Sequence, residues 1–336
     1  MPVKTAVLGY GRSGSTLHAG PIEKLDDFQM TAVCDIDPRA LEQANKRFQC
    51  NLYEDYQDML VKEDLDLVVI VTRSHQHAPM AIDCMKAGKN VLVTKPWAVN
   101  VEEAREMIRT AAETGTQLLP WLPARWGCDL KRLRELVRSG IIGRVFQIRR
   151  SVFTFGIRHD WQTLKECGGG YLLNWGPHIV DQPIQLAGGR VKSVFAHMKQ
   201  IINPGDVEDM FFGMLKTEED ITVVVEHNIA ASGLPDWVVQ GDRGTIFVRG
   251  KQVEVHKTTF PETFDPGEYR NPVTISVGKE ELTGNPYGDQ FEIYVHIARA
   301  VRGEEPYAIS LDSALNLSVV LAAIRQSHET GETVRC

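Results

Sequence analysis

Thr5-Ala6-Val7-Leu8-Gly9-Tyr10-Gly11-Arg12-Ser13-Gly14 is the stretch whose reading decides the fold. A short apolar run breaks into glycines spaced Gly-x-Gly-x-x-Gly, and residues 17–25 then offer a helix. Strand, glycine turn and helix in that order open a dinucleotide-binding βαβ unit. Gly9 permits the tight turn, Gly11 lets backbone amides approach a pyrophosphate, and Gly14 lets helix and strand pack closely at an anion-binding helix N-terminus. Tyr10 and Arg12 lie within the same cofactor-binding turn. A second apolar run, Met30-Thr31-Ala32-Val33-Cys34, ends at Asp35, about 20 residues beyond Gly14, the offset expected of a ribose-binding acid. Such an acid repels a 2′-phosphate and favours NAD over NADP, while the nearby Arg39 leaves NADP open. Asp35-Ile36-Asp37-Pro38 also reads as a strand end followed by a helix start, and the two readings are compatible.

Residues 66–72, ending at Thr72, form a continuous β-branched run of the kind buried on both faces of a parallel sheet. A helix over 79–87 follows, with His77 just ahead of it as a candidate for the cofactor cleft, or as an ordinary histidine at a helix start. Residues 90–94 are another strand, and Lys95-Pro96 sits at its C-terminal end, where ligands bind in open α/β sheets. An amphipathic helix over 101–114 and a short strand over 117–120 close the first domain, which spans 1–121.

The chain has 336 residues, a length that argues for two domains with cores of their own. Lys+Arg 37 against Asp+Glu 44 gives a formal net charge of −7, so no global positive field exists to hold nucleic acid or an anionic membrane. Hydrophobic residues at 43% and charged residues at 24% exclude a disordered or fibrous chain. The six cysteines are scattered without zinc spacing and read as reduced thiols, and there is no metal constellation. The sequence shows neither a signal segment nor an apolar run of membrane length, which sets the expectation of a cytoplasmic protein.

From residue 145 onward the pattern changes to the strand period. Residues 145–155, 192–199, 211–215, 221–227 and 245–256 read as strands of a largely antiparallel sheet, with helices over 130–139, 174–186, 289–302 and 311–330. Residues 260–273, rich in proline and polar groups, read as a loop. The class is α/β for the first domain and α+β for the second.

Gly168-Gly169-Gly170-Tyr171-Leu172-Leu173-Asn174-Trp175-Gly176-Pro177-His178-Ile179-Val180-Asp181 is the most distinctive stretch of the second half. Asn174, His178 and Asp181 fall at i, i+4 and i+7, so one helix would carry an amide, an imidazole and a carboxylate on one face. The alternative is a glycine loop with Asn174 as helix cap and His178 as an interior histidine.

Together, Gly9-x-Gly11-x-x-Gly14, the run from Gly88 to Lys95-Pro96 and the stretch from Gly168 to Asp181 resemble the Gfo/Idh/MocA family of nicotinamide-dependent oxidoreductases across essentially the whole chain. The family usually has glutamate where this sequence has Thr94, and Asp-x-Gly-x-His where it has Asn174-Trp175-Gly176-Pro177-His178. The resemblance implies a Rossmann domain followed by an open-faced sheet domain over 122–310, with residues 311–336 packing back on the first domain. It implies sugar, inositol or glycoside substrates, and a homodimer or homotetramer built through the second-domain sheet. It makes Lys95 and His178 the catalytic pair: the lysine bonds the reacting oxygen and the histidine takes the hydroxyl proton as hydride leaves. Histidine has the near-neutral pKa such a base needs, and a cationic lysine stabilises a developing alkoxide. An amide at 174 binds a hydroxyl or orients a ring but accepts no proton, so a shifted pH optimum or a different substrate geometry is expected.

Further substrate-binding candidates are Trp126, Arg158, Trp161, Asp181 and Tyr287, each with a packing or salt-bridging role as the alternative. The resulting expectation is an NAD(P)-dependent dehydrogenase or reductase of CH–OH groups. An NAD-dependent glycoside hydrolase using transient oxidation, and a non-enzymatic nicotinamide-binding sensor, are the alternatives.

Overall fold

A computed structural model describes residues 1–336. Its contacts divide into two units. The first comprises Met1–Pro123, Asp160–Pro177 and Gly288–Ala322; the second comprises Ala124–His159, His178–Tyr287 and Ala323–Cys336.

The first unit is built on six parallel strands: β1 (Val3–Leu8), β2 (Phe28–Cys34), β3 (Asn51–Tyr53), β4 (Leu67–Ile70), β5 (Asn90–Val93) and β6 (Leu118–Pro120). Their spatial order is β3-β2-β1-β4-β5-β6, the order of a doubly wound nucleotide-binding sheet. Every residue of β4 is buried, as its unbroken Leu-Val-Val-Ile run requires when helices cover both faces. Pro120, which has no amide to donate, ends the edge strand. Register sets the site. Tyr53, Cys34, Leu8, Ile70, Val93 and Pro120, the last residue of each strand, pair in a single row across the sheet. Whatever follows them in the sequence therefore emerges along one edge.

The helix Gln290–Val301 belongs to this unit. Its Tyr294 is fully buried and bonded through its hydroxyl to His18 Nδ1 at 2.8 Å. The helix expected over 17–25 begins as a single π turn, Gly14–His18, and continues as Ala19–Lys24. The strand Asn51–Tyr53 and the helix Tyr56–Lys62 are absent from the sequence reading, because both are too short to show a period.

The second unit carries a nine-stranded sheet: β7 (Val145–Phe153), β8 (Val191–Lys199), β9 (Met210–Thr217), β10 (Thr222–Asn228), β11 (Trp237–Gly241), β12 (Gly244–Arg249), β13 (Gln252–Thr259), β14 (Thr274–Glu281) and β15 (Val334–Arg335). The order is β14-β13-β12-β11-β7-β10-β9-β8-β15, antiparallel except for the β7–β10 pair. Residues 245–256, read as one strand, are in fact a hairpin. The chain reverses at Gly250, whose φ is +58°, and a two-residue turn leaves the alternation on either side unbroken. β14 escapes the reading because it lies at the sheet edge, almost wholly exposed, and so carries no buried face.

The helix expected over 174–186 is two helices, Tyr171–Ile179 and Asp181–Leu186. Pro183 has no N–H to return to the carbonyl of Ile179, so the ladder breaks at Val180. Asn174 lies inside the first helix, not at its cap. No helix is long and apolar enough to cross a membrane.

His227 on β10 is fully buried and stacks on Phe211, with ring centroids 6.2 Å apart. Burial pushes its pKa down to about 4, against the opposing pull of Asp209. An unfolded chain binds this proton near pH 6.5, so stability is lost as pH falls from there towards 4. The melting temperature is expected to fall across that interval and to fall less steeply in His227→Phe. Equal slopes by calorimetry would remove His227 as a source of the acid sensitivity.

Candidate active site

Two of the three glycines in the first turn are demanded by the protein's own backbone. Gly9 has φ +94°, and a Cβ there would stand 2.8 Å from the carbonyl oxygen of Val71. A Cβ on Gly14 would lie 2.0 Å from the carbonyl oxygen of Gly9, closer than any real contact. Gly11 differs: a Cβ there meets nothing within 4 Å. The protein leaves that space open at the start of a helical turn, and a pyrophosphate lying against bare backbone fits it.

Asp35, the first residue after β2, closes the turn from the other side. Its Oδ2 accepts the Tyr10 amide at 2.6 Å and its Oδ1 the Asp37 amide at 2.9 Å. Each oxygen retains a lone pair, which suits a carboxylate that also receives ribose hydroxyls. Tyr10 contributes mainly by packing, its buried ring set edge-on to Phe48. Arg12 is exposed. Arg39 is exposed as well and is paired with Asp37 at 3.1 Å.

Thr72 follows β4, and its hydroxyl meets Met80 Sδ at 3.5 Å. His77 is buried with Nδ1 2.7 Å from the carbonyl oxygen of Pro96 and Nε2 3.0 Å from that of Thr72. It ties the turn after β4 to the turn after β5. Burial lowers its pKa, and the two carbonyls oppose that shift.

Lys95 emerges two residues beyond Val93 and is joined to Pro96 by a cis peptide bond. Its Nζ donates to Asn174 twice, to the side-chain oxygen at 2.5 Å and to the backbone oxygen at 3.1 Å. The glycine run ahead of Asn174 makes this approach possible. A Cβ on Gly168 would press 2.9 Å from Ser74 and Val99, and one on Gly169 would stand 2.5 Å from the carbonyl oxygen of Gln162. Trp161, half-buried, lies in the turn Trp161–Thr163 of the same segment, and the Asp160 carboxylate caps that turn.

The helix Tyr171–Ile179 carries Asn174 and, one turn on, His178, which is 8% exposed. The ring of Tyr287 lies 5.3 Å from that of His178, centroid to centroid. Asp181 does not extend this face, because the helix breaks before it. Its carboxylate takes a two-pronged bond from Arg125, with Nε–Oδ2 and Nη2–Oδ1 both at 2.8 Å. Trp126 is half-buried beside Arg125, and the backbone amide of Arg158 donates to Asn203 Oδ1 at 2.8 Å.

The sequence reading missed a buried polar group around Arg150. Arg150 and Asp129 are each 2% exposed, and Gln182 is fully buried. Asp129 accepts the indole N–H of Trp237 at 2.7 Å, and burial raises its pKa despite the nearby Arg150 and that bond. The signal that could have found the group is parity. Arg150 stands two residues from the fully buried Ile148 on β7, so a charge occupies an inward position.

Residues 3–120 match the family described as an oxidoreductase family with an NAD-binding Rossmann fold, and residues 130–247 match the GFO/IDH/MocA C-terminal domain. D-glucoside 3-dehydrogenase of Escherichia coli K12 is 32% identical over 99% of this chain and 97% of its own length. The chain belongs to the Gfo/Idh/MocA family. A second member, scyllo-inositol 2-dehydrogenase (NADP(+)) of Bacillus subtilis, is 22% identical over 99% of this chain and 95% of its own. An NAD-binding protein from Listeria innocua superposes with a TM-score of 0.85 at 25% identity, covering 100% of this chain and 97% of that one. Membership makes the protein an NAD(P)-dependent oxidoreductase, in agreement with the Rossmann sheet and the open space at Gly11.

Gly14→Ala tests the turn. With the new methyl forced onto the Gly9 carbonyl, NAD affinity is expected to fall at least tenfold by titration calorimetry. A variant that binds NAD as well as the parent protein would refute this assignment of Gly14.

Proposed function

We propose that this family member transfers hydride between a nicotinamide and a ring carbon bearing a hydroxyl or ketone, on a sugar, inositol or glycoside. The observation that carries the reading is the pair of hydrogen bonds that Lys95 donates to Asn174. It ties the lysine at the strand edge to the helix face that also bears His178. Both named relatives are dehydrogenases whose names specify a ring carbon of a glucoside or an inositol.

A dinucleotide whose pyrophosphate lay against the glycine turn would supply its nicotinamide as the hydride acceptor. Lys95 contributes a positive charge to the oxygen that becomes alkoxide, and it donates to two amide oxygens of Asn174. His178 takes the hydroxyl proton, and loss of proton and hydride together leaves the ketone. Asn174 fixes the lysine and offers its amide group to a substrate hydroxyl. Asp35 favours NAD through its place at the ribose, and the exposed Arg39 leaves NADP accessible. Trp126, Arg158, Trp161 and Tyr287 complete the reading as substrate contacts, and Asp181 acts through Arg125.

A homo-oligomer through the second-unit sheet belongs to the same proposal. Phe195, Met214, Val224, Arg149, Val238 and Phe247 pair in one row across six strands. Phe195 and Met214 are 40% and 48% exposed, an apolar strip that a second copy of the sheet can cover. Met214→Asp is expected to lower the particle mass in solution by half or more, read by light scattering on a sizing column. An unchanged mass would remove this face as the contact.

Turnover is tested with NAD and, separately, NADP across scyllo-inositol, glucose and methyl glucosides, following nicotinamide absorbance and product mass together. A keto product with an equivalent of reduced cofactor is expected, and Lys95→Ala is expected to lower kcat at least a hundredfold while cofactor affinity stays within a few-fold. Aglycone release with no net reduction would replace this reading with the hydrolase, and binding without turnover would replace it with the sensor.

A further inference from the structure

The turn Gly284–Tyr287 is held more firmly than its place on the surface requires. Gly284 and Asn285 are exposed, yet each residue from Asn285 to Tyr287 is tied by a main-chain atom. The helix Cys128–Arg138 has Gly127 at its N-cap and so no capping side chain; its first amide, that of Cys128, donates instead to the carbonyl oxygen of Asn285 at 3.1 Å. The next carbonyl, that of Pro286, accepts from Gln182 Nε2 at 3.4 Å. The amide of Tyr287 donates to Asn285 Oδ1 at 2.8 Å.

The ties have rigid far ends. Gln182 is fully buried, its Oε1 accepts from Arg150 Nε at 3.1 Å, and its Nε2 also donates to the carbonyl oxygen of Ala124 at 3.0 Å, so the side-chain amide is fixed from both ends. Two glycines let the turn close on the helix. A Cβ on Gly127 would stand 2.2 Å from the Pro286 oxygen, and Gly284 takes φ +105°, where a Cβ would also come within 3.2 Å of that of Cys128. Backbone groups of a surface turn are ordinarily satisfied by water. A turn fastened to a helix end and a buried amide has the supporting shell of a part that must stay in place.

That part is the ring of Tyr287. It lies 5.3 Å from the imidazole of His178, centroid to centroid, with the planes inclined at 59°. A tilted contact of this kind is a favoured arrangement of aromatic rings, and it limits rotation about the last side-chain bond of each. His178 is 8% exposed and stands one residue from the end of its helix. The helix places its Cα, and the neighbouring ring places its imidazole plane.

We propose that the turn Gly284–Tyr287 is a positioning element for the base, in which the ring of Tyr287 sets the imidazole plane of His178 and Gln182 holds the turn that carries the ring. The inference rests on the hydride-transfer reading of the same site and adds to it the device that aims the base. Gln182 touches no reacting atom and acts through the turn. The ring's role is separate from that of the Tyr287 hydroxyl, whose proposed partner is the substrate.

The test uses the full-length protein with methyl glucosides or scyllo-inositol and NAD. Tyr287→Leu is expected to lower kcat roughly tenfold or more, and Tyr287→Phe, which restores the ring, to recover most of that loss. KM is expected to rise alike in both, since both lack the hydroxyl. The limb of the pH profile that disappears in His178→Gln is expected to move upward by roughly half a pH unit in Tyr287→Leu, as water reaches the imidazole and favours its cation, and to stay in place in Tyr287→Phe. A parental kcat or an unmoved limb in Tyr287→Leu would overturn the proposal, and so would a Tyr287→Phe variant that recovers nothing.

A second readout needs no substrate. The Cε1–H resonance of His178, identified by its loss in His178→Gln, is expected to move in Gln182→Met, which keeps the tyrosine and loosens only its turn. Should Gln182→Met fail to fold, Asn285→Ala cuts a tie at an exposed position and is expected to move the same resonance. An unmoved resonance in the folded variant would overturn the proposal. A parent protein that moves no hydride on any substrate overturns the hydride-transfer reading and the kinetic arms with it, and the resonance alone then decides whether the turn holds the imidazole.

Discussion

The flush register of the parallel sheet is the constraint on which the rest of the first unit depends. Because the last residues of all six strands pair in one row, Gly9, Asp35, Thr72 and Lys95 leave the sheet along a single edge although up to 86 positions of sequence separate them. Parallel strands buried on both faces tolerate little slippage, since a one-residue shift would move every side chain to the opposite face and undo its packing against the helices there. Chemistry is thereby placed by packing. The same edge receives a segment distant in sequence, residues 160–177, through glycines at 168 and 169 that leave no room for a side chain. The lysine–asparagine bond depends on that close approach.

In the second unit the corresponding constraint is a buried cation. Arg150 gathers a glutamine, two backbone carbonyls and an indole face that come from three separate stretches of chain. A single buried charge with this many partners makes its surroundings hard to rearrange, because freeing any partner leaves a desolvated polar group behind. Asp181 and Arg125 form a second such knot on the helix that follows His178. The histidine thus sits on a helix end whose continuation is anchored by both groups. In the proposed reaction, where His178 takes the hydroxyl proton, that anchoring holds the base in one geometry.

Charge gives the site its chemical direction. An amide oxygen accepts from an ammonium group without bringing a charge, whereas a carboxylate in its place would offset the ammonium's field. Where the family usually has an aspartate, Asn174 accepts two hydrogen bonds from Lys95 and adds no negative charge beside it. The glycine turn complements it with space and backbone amides suited to an anionic pyrophosphate.

The sequence by itself determined the Rossmann unit, because glycine spacing, the acid after β2 and the buried β-branched run are local patterns with few alternative readings. It also marked Lys95, Asn174 and His178 as residues of interest, the first from its place at a strand end and the others from helical spacing. What only the tertiary structure decided is pairing. The hairpin at Gly250 was invisible because a two-residue turn shifts the phase of the alternation without interrupting it for long, and β14 because an exposed edge strand has no buried face to announce it. The i+7 reading of Asp181 failed at a helix break, and its carboxylate went to an arginine 56 residues earlier in the chain. Arg150 and Gln182 lie on different elements, and their bond forms only where β7 and the helix Asp181–Leu186 pack together. Periodicity reports which face of an element is buried; which charge meets which hydroxyl is settled only when the faces close on one another.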